Sequence, residues 1–146
     1  CQMLSIIYSK WYYGWGPIHR VNGEPYKTDK GAFRNHPCTK WAAESHEKTA
    51  WLIAHGLALC TEYFHRYGKV HSCMKTLFEA KKLFHRKTGK AITCYCMVED
   101  FTRAMPNEFK FDTSIDTITA YKMYISSKPW VASNYLRDGS RKPDWV

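Results

Sequence analysis

Residues 51–71, WLIAHGLALCTEYFHRYGKVH, decide the fold. Leu52, Ile53, Gly56, Leu57, Cys60, Phe64 and Tyr67 recur at steps of three and four, the period of one helix face. Trp51, Ala54, Ala58 and Leu59 make the other side apolar too, which predicts a central helix. Gly68 suits a left-handed cap that ends it. Upstream, Pro37 is an acceptable first-turn residue, so the helical pattern is expected from about 37 to 67, with room for a break near Ser45. Glu44 with Lys48 and Glu62 with Arg66 stand four apart in the supportive order, each pair worth a few tenths of a kcal/mol.

Outward from this helix the pattern stays helical. Residues 2–13 read as the end of a helix that breaks at Gly14-Trp15-Gly16-Pro17. A loop follows to about Phe33, with a turn at Asn22-Gly23-Glu24-Pro25 and a basic stretch at Lys27, Lys30, Arg34 and His36. A third helix is expected from Lys69 to Arg86, with Val70, Cys73, Met74, Leu77, Ala80, Lys81 and Phe84 inward and Lys75, Lys82 and Arg86 outward. Residues 91–97 pass as a short extended segment. Ala104-Met105-Pro106 is a connector. Thr113 with Asp116 has capping-box spacing before a helix that runs to about Ser127. The tail alternates rings and cations: Lys128, Trp130, Tyr135, Arg137, Arg141, Lys142 and Trp145. No repeat or linker divides the chain, so the expectation is mostly all-α: a single compact helical domain over residues 1–146 with long basic loops.

The chain has 146 residues, with 22 Lys and Arg against 13 Asp and Glu, a formal charge of +9. Its 16% aromatic content and cationic excess suit a partner that offers phosphates and flat rings, although the same composition would also serve a small core with a soluble surface. No apolar run is long enough to predict a spanning helix, so no membrane partner is expected. Cys1 stands where an initiator Met would, ahead of Gln2, Met3, Leu4, Ile6 and Ile7, which predicts an upstream segment. The six cysteines are expected as free thiols; Cys94 and Cys96 form a C-x-C pair, the basis of a trailing zinc-domain reading. No phosphate-cradling Gly-rich loop, nucleophile elbow or paired-His zinc motif is present, and no cofactor or metal is expected.

Two stretches could carry function. In Arg34-Asn35-His36-Pro37-Cys38-Thr39-Lys40-Trp41 a basic loop enters a helix start, where free backbone N–H groups favour an anion; Arg34, Asn35 and Lys40 would be side-chain donors, or the segment simply caps the helix. In Arg66-Tyr67-Gly68-Lys69-Val70-His71, Arg66 and Lys69 could meet phosphates and His71 donate or carry a proton. Alternatively, Arg66 pairs with Glu62, Tyr67 joins the core and a neighbouring carbonyl satisfies His71. Glu44, Glu62 and Glu108 are the acids whose positions invite a catalytic role, and each also reads as a salt-bridge partner.

Asn35-His36-Pro37, Trp41, Ser45, Trp51-Leu52, Leu59-Cys60-x-Glu62-Tyr63, Arg66-Tyr67-Gly68-Lys69-x-His71, Ala104-Met105-Pro106-x-Glu108-Phe109-Lys110 and Ala120-Tyr121 resemble a set of uncharacterised bacteriophage proteins. Those are in turn similar to the pyrimidine-dimer DNA glycosylases of the phage endonuclease type. Lys48 departs from the set, which has Asn three residues after the Ser. The resemblance implies an all-helical, cofactor-free protein that binds duplex DNA, kinks it and displaces a base, acting in the cytoplasm of an infected bacterial host. It implies attack on a sugar carbon by an amino-terminal amine, forming an imine, with a Glu assisting; both groups would lie ahead of Cys1, so no catalytic residue is named. It makes His36 a DNA-facing position, Lys122 a phosphate contact, and Lys128 with Trp130 a basic and aromatic tail. Arg66, Lys69 and His71 are suggested as further contacts. The alternative function is a non-catalytic module that holds nucleic acid or a host protein on the same scaffold.

Overall fold

Ser45 divides the long helical run. In the computed structural model, which describes residues 1–92, 98 and 100–146, the chain separates into the units Cys1–Glu99 and Asp100–Val146. The first holds α1 (Gln2–Tyr8), α2 (Pro37–Ala43), α3 (His46–Tyr67) and α4 (Cys73–Thr88). Ser45 is extended, and its side chain accepts from Lys48 N–H at 3.2 Å to start α3. The carbonyl end of α2 is satisfied from outside: Thr49 Oγ1 donates to Ala42 O at 2.6 Å, and Tyr13 Oη donates to Ala43 O at 3.3 Å.

The first helix stops at Tyr8, five residues before the expected end at 13. Ser9 competes with the ladder: its hydroxyl donates to Ile6 O at 2.7 Å and accepts from Trp11 N–H at 3.3 Å. Gly14, at φ 64°, then turns the chain back, so that Gly14 N–H bonds Ser9 O at 2.8 Å and Trp15 N–H bonds Tyr8 O at 2.8 Å. Trp15 lands among Tyr8, Tyr13, His46 and Phe84, with ring centroids 4.5–6.0 Å away.

Leu4, Ile7, Tyr8, Ile18, Ile53, Leu77, Ala80 and Phe84 are buried between α1, α3, α4 and the loop that follows α1. Gly56 has a packing reason: a Cβ there would lie 2.9 Å from Leu77 Cδ2, so its bareness lets α3 and α4 approach closely. Tyr8 Oη donates to Ala80 O at 3.0 Å across this core. Phe64 and Tyr67, expected on the inward stripe, are exposed, as is Leu59, because the packing partners of α3 cover other parts of its surface. Gly68 takes the left-handed cap as expected. The next helix starts at Cys73 rather than Lys69, since residues 69–72 carry the chain around the corner; Val70 is therefore exposed. Of the segment expected to be extended, 93–97 lie outside the described residues.

Thr39 is fully buried, and its hydroxyl has no hydrogen-bond partner among the described residues. Replacing it by the near-isosteric Val removes a desolvated polar group. Thr39→Val is expected to stabilise the protein by about 1 kcal/mol, seen as a rise in the thermal midpoint; a fall would show that the hydroxyl has a partner.

The second unit contains α5 (Asn107–Lys110), α6 (Thr117–Ser126) and two 3-10 turns, Ala132–Tyr135 and Gly139–Arg141. Among the described residues of the whole chain there is no β-strand, only a bridge between His19 and Pro25, and the fold class is mostly all-α. Arg103 ties the segment between α5 and α6 together: its guanidinium donates to the Phe109, Asp112 and Ile115 carbonyls and to Thr117 Oγ1. Asp116, not Thr113, caps α6, accepting from Ile118 N–H at 2.9 Å and Thr119 N–H at 3.0 Å; the Thr119 hydroxyl, which also donates to it, and these backbone bonds hold its carboxyl below the usual range.

Candidate nucleic-acid interface

In the first unit, each of the two nominated stretches leads into a helix, and at each helix start a histidine accepts from a backbone N–H. His36 is the residue before α2, and its Nδ1 accepts from Cys38 N–H at 3.2 Å; Pro37 follows at the first helical position. His71 lies two residues before α4, and its Nδ1 accepts from Cys73 N–H at 3.1 Å. The expected carbonyl partner of His71 is thus replaced by a backbone donor, because the ring sits where the first N–H groups of α4 are open. An Nδ1 that accepts leaves the proton of a neutral imidazole on Nε2, so both rings offer an Nε2–H donor.

The start of α1 lies between them. Cys1 and Met3 line a recess with His36 and Phe33, and also a second recess of about 500 Å³ that contains His71, His55 and Tyr63. His71 meets Tyr63 edge to face at 4.8 Å. His55 stacks on Trp51 at 4.7 Å, and burial lowers its pKa, favouring the neutral ring. Burial pushes the Cys60 thiol up, which disfavours the nucleophilic thiolate. No carboxylate lines either recess among the described residues.

Asn35 and Lys40 are exposed, while Arg34 is half-buried with its guanidinium 4.3 Å from the Trp11 ring centroid. Arg66 donates through Nε to Glu62 at 2.7 Å, and Lys48 pairs with Glu44 at 2.5 Å, so two of the three acids considered for catalysis are ion-paired. Tyr67 packs on Tyr63 at 4.6 Å but stays exposed rather than joining the core. Lys69 is exposed at the corner. In the second unit Lys122 is exposed on α6, Lys128 lies 4.1 Å from the Tyr124 ring centroid, and Trp130 is half exposed.

Sequence reasoning missed His19 and Glu79, which meet at 2.6 Å beside Arg20, Lys75 and Lys82. Their separation of 60 residues hides the pairing. The available signal was the spacing of Lys75, Glu79 and Lys82 on one helix face.

The family model described as pyrimidine dimer DNA glycosylase matches residues 1–76. The chain belongs to the pyrimidine dimer DNA glycosylase family. No curated protein and no solved structure matches the chain. The glycosylase match runs from α1 into the first turn of α4 and includes both nominated stretches. Lys122, Lys128 and Trp130 lie beyond it. Among the described residues, Cys1, Cys60 and Cys73 are free thiols, and no group of three or more His, Cys, Asp or Glu is placed to hold a metal. Cys94 and Cys96 lie outside the described residues. No described helix is long and apolar enough to cross a membrane.

Proposed function

We propose that this glycosylase-family chain binds duplex DNA and serves base excision in DNA repair. The observation that carries the reading is the family match over residues 1–76. That segment also brings the His36 and His71 donors to either side of the start of α1, with Arg34, Lys40, Arg66 and Lys69 in the same two stretches. Such cations and donors position a protein on the phosphate backbone without reading sequence, the contact a scanning repair protein needs. Lys122, Lys128 and Trp130 would add phosphate and ring contacts from the second unit. As a phage protein it would act in the cytoplasm of the infected bacterium.

The chemistry would be covalent. An unprotonated amine attacks the sugar carbon, and the base leaves with its bonding electrons and takes up a proton. The nitrogen then loses its protons as the bond from that carbon to the ring oxygen opens, the oxygen becoming a hydroxyl and the carbon an imine, while a carboxylate stabilises the developing positive charge. The lack of a carboxylate among the lining residues of the two recesses favours a second reading, a module that holds DNA or a host protein without reacting. Borohydride trapping on duplex DNA carrying a pyrimidine dimer or an abasic site separates the two. The glycosylase reading expects a covalent protein–DNA adduct that survives denaturation. Tight binding with no adduct from a full-length chain would overturn it in favour of the module.

A further inference from the structure

The outer face of α4 carries Lys75, Phe78, Glu79 and Lys82, at the i, i+3, i+4 and i+7 spacing of one helix side, while Leu77, Ala80, Leu83 and Phe84 face the core. Opposite that face stands the turn after α1. His19 clamps it to the helix three times: its backbone N–H donates to Glu79 Oε2 at 2.8 Å, its ring Nδ1–H donates to Glu79 Oε1 at 2.6 Å, and its carbonyl accepts from Thr76 Oγ1 at 2.6 Å. The clamp engages both oxygens of the one acid on this face, and Arg20, whose guanidinium lies 3.9 Å from Glu24 and 5.6 Å from the Tyr26 ring centroid, lines with Lys75 and Lys82 a recess of about 650 Å³. Phe78 is 47% exposed within it.

A second recess of about 460 Å³ shares Phe78 and Lys82 and continues past Lys81 to His85. The two make a groove along about 15 Å of helix, from Lys75 to His85, with cations along its length and an exposed ring midway. Lysines alone would suit any polyanion. The ring narrows the choice, because a duplex keeps its bases stacked inside, whereas an unpaired base presents a face that can lie on Phe78 while its flanking phosphates meet Lys75, Lys82 and Arg20.

We propose that this α4 groove binds single-stranded DNA, with a base stacked on Phe78 and the neighbouring phosphates on Lys75, Lys82 and Arg20. These residues are separate from those assigned to duplex binding, so either site can fail without the other. The test measures the affinity of the full chain for a ten-residue oligothymidylate by fluorescence anisotropy across a salt series. Phe78→Ala is expected to weaken binding by about five- to tenfold, and Phe78→Tyr to restore it, because a phenol ring still stacks. Lys75→Ala with Lys82→Ala is expected to weaken binding and to flatten the slope of log K against log salt by about 1.4, the loss of two phosphate contacts on a single strand. Unchanged thermal midpoints would show that the variants are folded. If Phe78→Ala binds like the wild type while the lysine variant falls, the groove holds an anion only and the strand reading is overturned. If neither variant changes affinity, the groove is not the binding site.

Discussion

Phe84→Ala is expected to destabilise the Cys1–Glu99 unit by about 3–5 kcal/mol, the range for truncating a buried aromatic side chain. Phe84 is 1% exposed, and its ring meets those of Trp15 and His46 at 6.0 Å each, near edge to face. It joins three pieces of chain: the reversal after α1 through Trp15, the start of α3 through His46, and α4 itself. A cavity here cannot close by moving one neighbour, because each wall belongs to a different element. The thermal midpoint read by circular dichroism is expected to drop by about 12 °C or more. Phe78→Ala, six residues earlier on the same helix but on the exposed face, serves as the comparison, since little area is returned to water. A drop no larger than that of Phe78→Ala would show that the aromatic cluster does not organise the core.

Charge reversal at Lys69 and Lys122 is expected to have the largest effect on function. Both lysines are exposed, one at the corner between α3 and α4 and the other on α6. In the proposed complex each neutralises a phosphate. Lys69→Glu with Lys122→Glu removes two attractive contacts and adds two repulsive ones, so duplex affinity should fall by at least about tenfold at low salt, whatever the sequence of the duplex. Neither side chain is buried, so the thermal midpoint should hold. A variant that binds as tightly as the wild type would place the DNA elsewhere on the protein.

The helices were legible wherever apolar spacing and a stop signal coincided. The sequence leaves room for a break near Ser45, where the run does divide, and it marks Gly68 as the cap, because a short polar side chain and a glycine impose local geometry whatever surrounds them. The end of α1 was missed, since Trp11, Tyr12 and Tyr13 continue the apolar pattern after Ser9 has taken the carbonyl the ladder needs. Phe64, Tyr67 and Val70 read as core because periodicity reports which residues share a face and not whether another element covers it. At the candidate interface, the two cationic stretches were visible as local runs. The matched backbone bonds of His36 and His71, and their placement around Cys1 and Met3, depend on tertiary contacts. The His19–Glu79 clamp joins a loop to a helix 60 residues away, and no local pattern encodes it.

Stability adds one pH-dependent contact. Lys90 donates to Glu47 at 2.6 Å and holds its carboxyl down to about 2. A depressed carboxylate contributes above its unfolded pKa and loses that contribution as pH falls through the folded value, so this pair helps at neutral pH and fades toward pH 2. Both side chains are largely exposed, and solvent keeps the gain small.

The central claim, that this glycosylase-family chain grips the phosphate backbone of duplex DNA, is tested most directly by the salt dependence of duplex affinity. If Arg34, Lys40, Arg66, Lys69, Lys122 and Lys128 each neutralise one phosphate, log K should fall against log salt with a slope of about −5.4, and the double charge reversal should flatten it by about 1.8. A slope near zero, or one the reversal leaves unchanged, would contradict the account.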